Sequence, residues 1–448
     1  MSHVSFKNLY NPQFFSYDVS ILNADSGSES LAANSTAVFT IQGRANGPLD
    51  THMSYMRSSY TAVDDSYAGV TDATDGVIQP CPAMSQFKSF RAEINETTIE
   101  VMRNAKEIMA KYMFDFAFSS AAERTESIRQ GLVCPLSACD TTDSYEWGTL
   151  SQKLIYNSRK VVYYTPLSKL SNCLEVARFV PFNSLRLTFE RGAATDGFMG
   201  VENMTTMSSG IADTYRLRCT LYHLNFSEQI MASEKASYEA WKNNSKPVRF
   251  LYSRLKLDTL TASSDSLNQQ INRTDLLNAF VCHYTVGADA SAFPLTQLYG
   301  TDSATYYWHF QPRFHKLTAV TATRNQMNVP ISNRDLYSGS TDFEMTSYDW
   351  NEMWNQYLNL FKRKYRGDSL AEPMLTYNTM PYIGLIPIVI SPSLAGEFLQ
   401  TEDKLNITYT FTTGSRTNAY VAVLSEIGCS CVVNTQSGLW TVSANSSV

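Results

Sequence analysis

Six histidines and eight cysteines are the side chains in this 448-residue sequence best suited to chemistry, and their spacing decides what they could do. His3, His52, His223, His283, His309 and His315 stand apart from one another. Only His309 and His315, flanking Gln311-Pro312, could approach across a turn as a metal pair. His223 and His283 sit inside alternating strand patterns, where a hydrogen-bonded structural imidazole is the common case. The cysteines at 81, 134, 139, 173, 219, 282, 429 and 431 include two close spacings, Cys134 to Cys139 and Cys429-Ser-Cys431. Neither is the C-x-x-C knuckle that zinc prefers. Thiols inside apolar strands read as reduced and packed. Asp64-Asp65, Asp72 and Asp75-Gly76 gather carboxylates but lack the alternating ligands and terminal Glu of a calcium loop. The chain has no G-x-x-x-x-G-K-[ST] phosphate loop, no G-x-G-x-x-G turn after a strand, no H-E-x-x-H and no G-x-S-x-G elbow. Carboxylate pairs for glycoside hydrolysis meet only in the fold, and no strand-end Glu stands out as one. The expectation is therefore no catalytic residue, no cofactor and no metal.

Composition narrows the classes that remain. A chain this long is expected to build two compact units. Hydrophobic residues make up 44% and charged residues only 17%, against about 25% charged in typical soluble proteins. Ser, Thr, Asn and Tyr fill the difference. A polar, sparsely charged surface suits a chain packed against copies of itself, because interface cores are depleted in charge. An ordinary β-rich protein with a neutral surface fits the composition equally. The net charge of −6 argues against coating nucleic acid, and no sequence-specific nucleic-acid binding is expected. The N-terminus, MSHVSFKNLYNPQFF, lacks the positive start and apolar core of a secretory signal. No run approaches the ~18 apolar residues of a membrane span. Synthesis in the cytosol is the expectation.

The elements that would carry such a chain are mostly strands. Residues 1–30 hold Phe6, Tyr10, Phe14, Phe15 and Tyr17 ahead of a polar hinge. They read as an aromatic arm, reaching to a neighbour or folded on its own domain. Ala37–Gln42 alternates as a strand, and 50–85 shows little periodicity. Arg91–Phe118 reads as a helix, with Ile94, Thr98, Val101, Met102, Ala105 and Ile108 opening an i, i+3, i+4 stripe. Its Met-rich face is either core or a partner groove. Val161–Thr165, then Pro166-Leu167 and a short helix through Leu170 and Leu174, precede the alternating strand Asn183–Glu190. Tyr215–Leu224 alternates again. Residues 225–246 form a connector, with the domain junction within it.

In the second half, Pro247–Leu257 and Ala279–Val286 alternate with the period of two that a half-buried strand requires. The polar stretch between them reads as a surface connection. Tyr306–Phe310 and Phe314–Ala322 are strand-like, 325–334 a loop, and Tyr348–Tyr365 helical. That helix ends in Lys362, Arg363, Lys364 and Arg366, the dense basic cluster of the chain. These cations either complement the helix dipole, with Gly367 as cap, or contact an acidic partner. Ile383–Ile390, Lys404–Phe411, Ala419–Glu426 and Cys429–Val433 close the chain as strands, and 434–448 reads as a tail.

Three stretches resemble one family. Pro247, a charged residue, an aromatic strand, a polar loop, Leu277-Asn278, a strand, a turn and Phe293-Pro294 follow in the order seen at the start of the second barrel in double jelly-roll major capsid proteins. These belong to polinton-type viruses, virophages and related large DNA viruses. Pro166, Leu167, Leu185 and Arg191 are similar to anchors late in the first barrel, and 375–430 is similar to the end of the second. The resemblance implies a mainly β protein of two consecutive jelly-roll barrels with helical and loop insertions, 31–224 and 247–433. It implies a shell protein of the virion rather than an enzyme, forming homotrimeric pseudo-hexagonal capsomers that tile an icosahedral shell. Its expected partners are its own copies, neighbouring capsomers and minor capsid or penton proteins. Phe6, Tyr10, Phe14 and Phe15 become a candidate inter-subunit arm, and Lys362–Arg366 a candidate contact with the genome or an inner membrane. Two other readings stay open: a vertex or single-barrel shell protein, which one set of strands would favour, and a carbohydrate-binding β-sandwich.

Overall fold

Two alternating patterns, repeated across the chain, fold in a computed structural model into two sets of eight strands with the same order. The structure describes residues 17–25, 30–43, 49–62, 77–78, 83–84, 86–103, 108, 117–118, 126, 129–132, 160–177, 183–192, 198–199, 215–226, 248–261, 264–274, 276–285, 317–328, 334–335, 355, 358, 372–373, 385–388, 402–411, 419–434 and 439–443. In the first half the strands are β1 (Tyr17–Leu22), β2 (Thr36–Gln42), β3 (Tyr55–Ala62), β4 (Phe87–Ile94), β5 (Thr97–Met102), β6 (Lys160–Pro166), β7 (Ser184–Arg191) and β8 (Tyr215–Phe226). Two short helices, α1 (Leu167–Leu170) and α2 (Asn172–Val176), join β6 to β7. The second half has β9 (Val248–Thr261), β10 (Ser266–Thr274), β11 (Leu276–Thr285), β12 (Leu317–Arg324), β13 (Met327–Asn328), β14 (Leu385–Ile388), β15 (Glu402–Phe411) and β16 (Ala419–Asn434). A final strand, β17 (Leu439–Ser443), follows.

The first half pairs as β1-β8-β3-β6 and β2-β7-β4-β5; the second pairs as β9-β16-β11-β14, with β17 added on β16, and β10-β15-β12-β13, with Arg334–Asp335 also paired to β12. Ranked within each half, both read 1-8-3-6 and 2-7-4-5, and every pairing is antiparallel. Eight strands returning on themselves in two four-stranded sheets are a jelly roll, so the chain is a double jelly roll. Two sets of strands remove the single-barrel alternative. A two-residue ladder between Ala117–Phe118 and Glu372–Pro373 also crosses from one half to the other.

Alternation builds each core. Ala37, Phe39 and Ile41 of β2 lie opposite Phe189, Leu187 and Leu185 of β7, and all six are buried. Phe39, Phe87 and Phe90 surround Phe189 at ring-centroid distances of 6.0, 5.0 and 4.9 Å. Each such ring contributes about 1.5–3 kcal/mol on burial. In the second half Leu267 and Ile271 face Leu405, Ile407 and Tyr409, with Val320 and Ala322 across β15. The Tyr409 hydroxyl donates to Gln269 Oε1 at 2.8 Å, so the polar tip of that buried ring is satisfied.

Five expectations need correction. Residues 91–102 are not helical. They belong to a hairpin of β4 and β5, because Asn95 (φ 47°) and Glu96 (φ 66°) form a left-handed two-residue turn, the conformation whose twist suits a hairpin. The β-branched Thr97, Thr98, Ile99 and Val101 then favour a strand. Beyond Arg103 only Ile108, buried and helical, and Ala117–Phe118 of the expected helix are described. The aperiodic 50–85 region contains β3, a central strand whose Met56, Ser58 and Ser59 are buried. Burial of serines on both faces erased the hydrophobic signal. The polar connection after Leu257 is β10, read as loop because polar residues occupy most of its positions. Residues 17–22, expected in the arm, pair with β8 inside the first half. Residues 439–443, expected in the tail, pair with β16 and bury Trp440.

Candidate assembly interface

A hairpin turn recurs at the same place in both halves. Asn325 (φ 49°) and Gln326 (φ 70°) join β12 to β13 as Asn95 and Glu96 join β4 to β5. Asn95 Oδ1 accepts from the backbone N–H groups of Asn183 and Ser184 at 2.8 and 2.9 Å, and its own N–H donates to Ser184 O at 2.9 Å. Asn325 Oδ1 accepts from Lys404 N at 2.9 Å, and its N–H donates to Lys404 O at 2.9 Å. Asparagine supplies both needs, tolerance of positive φ and a short acceptor aimed at the neighbouring strand. The fifth strand of each half is thereby launched along a sheet edge, next to the fourth.

In the first half this edge strand is covered by the second half. Tyr252 of β9 donates from its hydroxyl to Ile99 O at 3.1 Å, and Arg254 Nε lies 3.3 Å from Glu100 Oε1. Both charged side chains are withdrawn from water, at 13% and 2% exposure. Thr97 Oγ1, just past the turn, donates to Trp440 O on β17 at 3.0 Å. Asn172 Nδ2 of α2 donates to Ser253 O of β9 at 2.9 Å. Strand geometry puts Tyr252 and Arg254, two apart, on one face. Tyr252 is paired with Cys429 in β16, and Cys431 follows two residues later, so both thiols share that face.

There Cys173 of α2 meets Cys431, and Cys173, Cys429 and Cys431 are all buried free thiols. The loop before β3 fixes α2 in position. Ser171 Oγ accepts from Cys173 N at 3.2 Å, Thr51 Oγ1 donates to Leu174 O at 2.8 Å, and His52 Nε2 lies 2.8 Å from Glu175 O. Asp50 Oδ1 accepts from His52 N and Met53 N, which shapes that loop.

The electrostatics are those of a joint rather than a reaction centre. The hydrogen bond to Cys431, and then burial, push the Cys173 thiol well above its usual value, which makes it a poor nucleophile. Burial, with Cys173 and Cys429 beside it, pushes the Tyr252 phenol up as well. Burial is the largest influence on Arg254 and works to lower its value, but Glu100, Cys429 and Tyr252 together more than reverse it. Among the described residues, no group of three or more His, Cys, Asp or Glu side chains is placed to hold a metal.

Elsewhere apolar side chains face water. Val19 and Ile21 of β1 are 59% and 62% exposed, and Met327 of β13 is 72% exposed. Both strands end their sheets in the described pairing.

The arm residues Phe6, Tyr10, Phe14 and Phe15 and the basic residues Lys362, Arg363, Lys364 and Arg366 lie outside the described residues, as do the 64–76 carboxylates and the His309–His315 pair. Of the expected helix 348–365, only Asn355 and Leu358 are described, both helical. Among the described residues no helix is long and apolar enough to cross a membrane. The anchor Arg191 is buried and donates to Leu31 O, tying the end of β7 to the segment between β1 and β2. The seam residues Glu100, Tyr252 and Arg254 escaped the sequence reading; the i, i+2 spacing of Cys429 and Cys431 was its one visible trace.

No protein-family model and no curated relative matches the chain. Solved structures do match in fold. The structure of PBCV-1 VP54 fitted into a reconstruction of the virophage Sputnik has a TM-score of 0.53 and 10% identity, covering 97% of this chain and 98% of that one. The quasi-atomic model of the PBCV-1 virus capsid gives 0.52 at 11% identity, covering 96% of each chain. The Sputnik virophage structure gives 0.51 at 10%, covering 96% of this chain and 89% of that one. At these identities the likeness is one of fold, and it extends over both jelly rolls.

Proposed function

We propose that the chain is a viral major capsid protein, building an icosahedral shell from homotrimeric, pseudo-hexagonal capsomers. The observation that carries this is the repeat itself. Two jelly rolls of identical strand order are locked edge to edge in one chain, so three copies offer six similar barrels around one axis. The whole-chain likeness in fold to solved capsid structures supports it. The buried thiols, the raised Tyr252 phenol and the desolvated ion pair form a rigid joint, and they fit a structural role better than a catalytic one. In this reading the barrels occupy about 31–224 and 247–433, joined through the connector 225–246; β1 extends the first as its opening strand, and β17 adds to the edge of the second. The arm and the basic cluster Lys362–Arg366 are left to contact neighbours, minor capsid or penton proteins, or an inner layer of the virion. Electron microscopy of the expressed full-length chain tests the proposal. Hexagonal plates or closed particles are expected; dispersed single chains at high protein concentration would contradict it.

A further inference from the structure

Free thiols from both halves are packed together where the halves meet. Cys173 belongs to α2 of the first half, and Cys429 and Cys431 belong to β16 of the second; all are buried. Their surroundings differ. Cys429 Sγ lies 3.8 Å from Ile427 O, within its own strand. Cys431 is in hydrogen-bonding contact with Cys173, so its partner is a thiol of the other half. The elements that bear this pair are fixed independently of it. β16 pairs with all 14 residues of β9, Cys431 opposite Phe250. α2 is held through Ser171 Oγ on Cys173 N and through Asn172 Nδ2 on Ser253 O of β9. Thiols already positioned against each other react as if at very high concentration, which favours the disulfide over two separate thiols. Access is the obstacle, because both sulfurs are fully buried. The five-residue α2 is the element that can lift, since a helix this short has little stability of its own.

We infer that Cys173 and Cys431 form a redox-sensitive lock, in which a small disulfide of the glutathione type oxidises the pair to a cross-link joining the two jelly rolls. As α2 lifts, one thiol gives its proton to solvent, and the thiolate attacks the S–S bond of the reagent. A mixed disulfide forms and one small thiolate leaves. As α2 returns, the second protein thiol, deprotonated in turn, attacks the protein sulfur of that mixed disulfide. The bond between the halves forms and the second small thiolate leaves. The protein pair has lost two electrons, the reagent has been reduced to two thiols, and the released protons end on them. In the cytosol, where synthesis is expected, reduced glutathione keeps the pair open; oxidising surroundings close it. On the capsid reading that change comes when the particle leaves the cell, but the bond itself rests on the seam alone. The linked positions are far apart in the chain, so the cross-link closes a long loop and restricts the unfolded state strongly.

The test uses purified full-length protein equilibrated with graded ratios of oxidised to reduced glutathione, in low urea so that α2 opens. Free thiols are then alkylated under denaturing conditions, and the digest is mapped by mass spectrometry. A peptide linking Cys173 to Cys431 should accumulate as the ratio rises and disappear with dithiothreitol. The oxidised parent should unfold at higher urea than the reduced one, its folded-to-unfolded ratio raised at least about tenfold. Cys431→Ala should lose both the linked peptide and the redox dependence, whereas Cys429→Ala should keep both. The peptide map of the parent decides the matter even if Cys431→Ala fails to fold. Thiols that stay free at every ratio, a cross-link through other cysteines instead, an oxidised chain no more stable than the reduced one, or a redox dependence that survives Cys431→Ala overturns the lock. Each of these leaves the capsid reading standing.

Discussion

The two halves share a strand order and a turn but differ in what covers their edges. β5 of the first half carries six residues and lies under β9 and β17; β13 of the second half carries two and is exposed. The first strands differ in the reverse sense. β9 runs for 14 residues and pairs with β16 throughout, whereas β1 runs for six and leaves Val19 and Ile21 in water. A repeated fold has thus been finished on one side only. What one half lacks, the other half of the same chain already supplies at the seam.

The largest effect should come from the ion pair that joins the halves. Glu100→Ala leaves Arg254 desolvated and alone, which costs about 3–5 kcal/mol. Urea unfolding should register it, whereas Met327→Ala at the equivalent edge should change the stability of the single chain by less than about 0.5 kcal/mol. The double change Glu100→Leu with Arg254→Met should return most of the loss, since an apolar pair of similar volume replaces the charges.

Next is β17. Trp440→Ala empties a buried site between β16 and β5 and should cost about 3 kcal/mol. In the parent, the tryptophan emission that Trp440→Ala removes should shift to the red in urea together with loss of the seam; a shift at much lower urea would mean β17 detaches alone.

The turns provide a finer comparison. Asn95→Ala loses an acceptor for two backbone N–H groups and places a Cβ-bearing residue at φ 47° without a local partner, about 1–2 kcal/mol in all. Asn325→Ala loses an acceptor for one such group among the described residues and should cost less. Equal losses would show that the backbone conformation, and not the side-chain acceptor, governs both turns.

The smallest effect concerns a surface pair. Hydrogen bonds from Lys88 and Ser89 hold the Glu190 carboxyl below its usual range. A group whose folded value is depressed stabilises above its unfolded value, about 4.3, and loses that contribution as pH falls through the folded one. Lys88→Gln should therefore lower the melting temperature slightly at pH 7 and converge with the parent near pH 2. The pair is well exposed, so the difference is small.

Much of the double jelly roll was legible because its strands alternate. Leu185, Leu187 and Phe189 in β7, and Leu405, Ile407 and Tyr409 in β15, announce one buried face each. The Pro166-Leu167 step marks α1, and Arg191 ends β7. What escaped notice did so for physical reasons. β10 satisfies its polar side chains across the strand, as with Thr408 Oγ1 donating to Asn268 Oδ1 at 2.7 Å, so its pattern looks like loop. β4 and β5 imitate a helix because the residues of two strands joined by a two-residue turn fall by chance on a 3.6-residue stripe. Only the φ angles of Asn95 and Glu96 break the imitation, although Asn-Glu before Thr-Thr-Ile was a readable hint. The seam was invisible for another reason: Glu100 and Arg254 are 154 positions apart, and nothing local in either marks them as partners.

The mass of the purified chain in native mass spectrometry at micromolar concentration tests the trimer most directly. Three copies per particle is the predicted result, with larger assemblies built in multiples of three. A stable single chain across that range would contradict it.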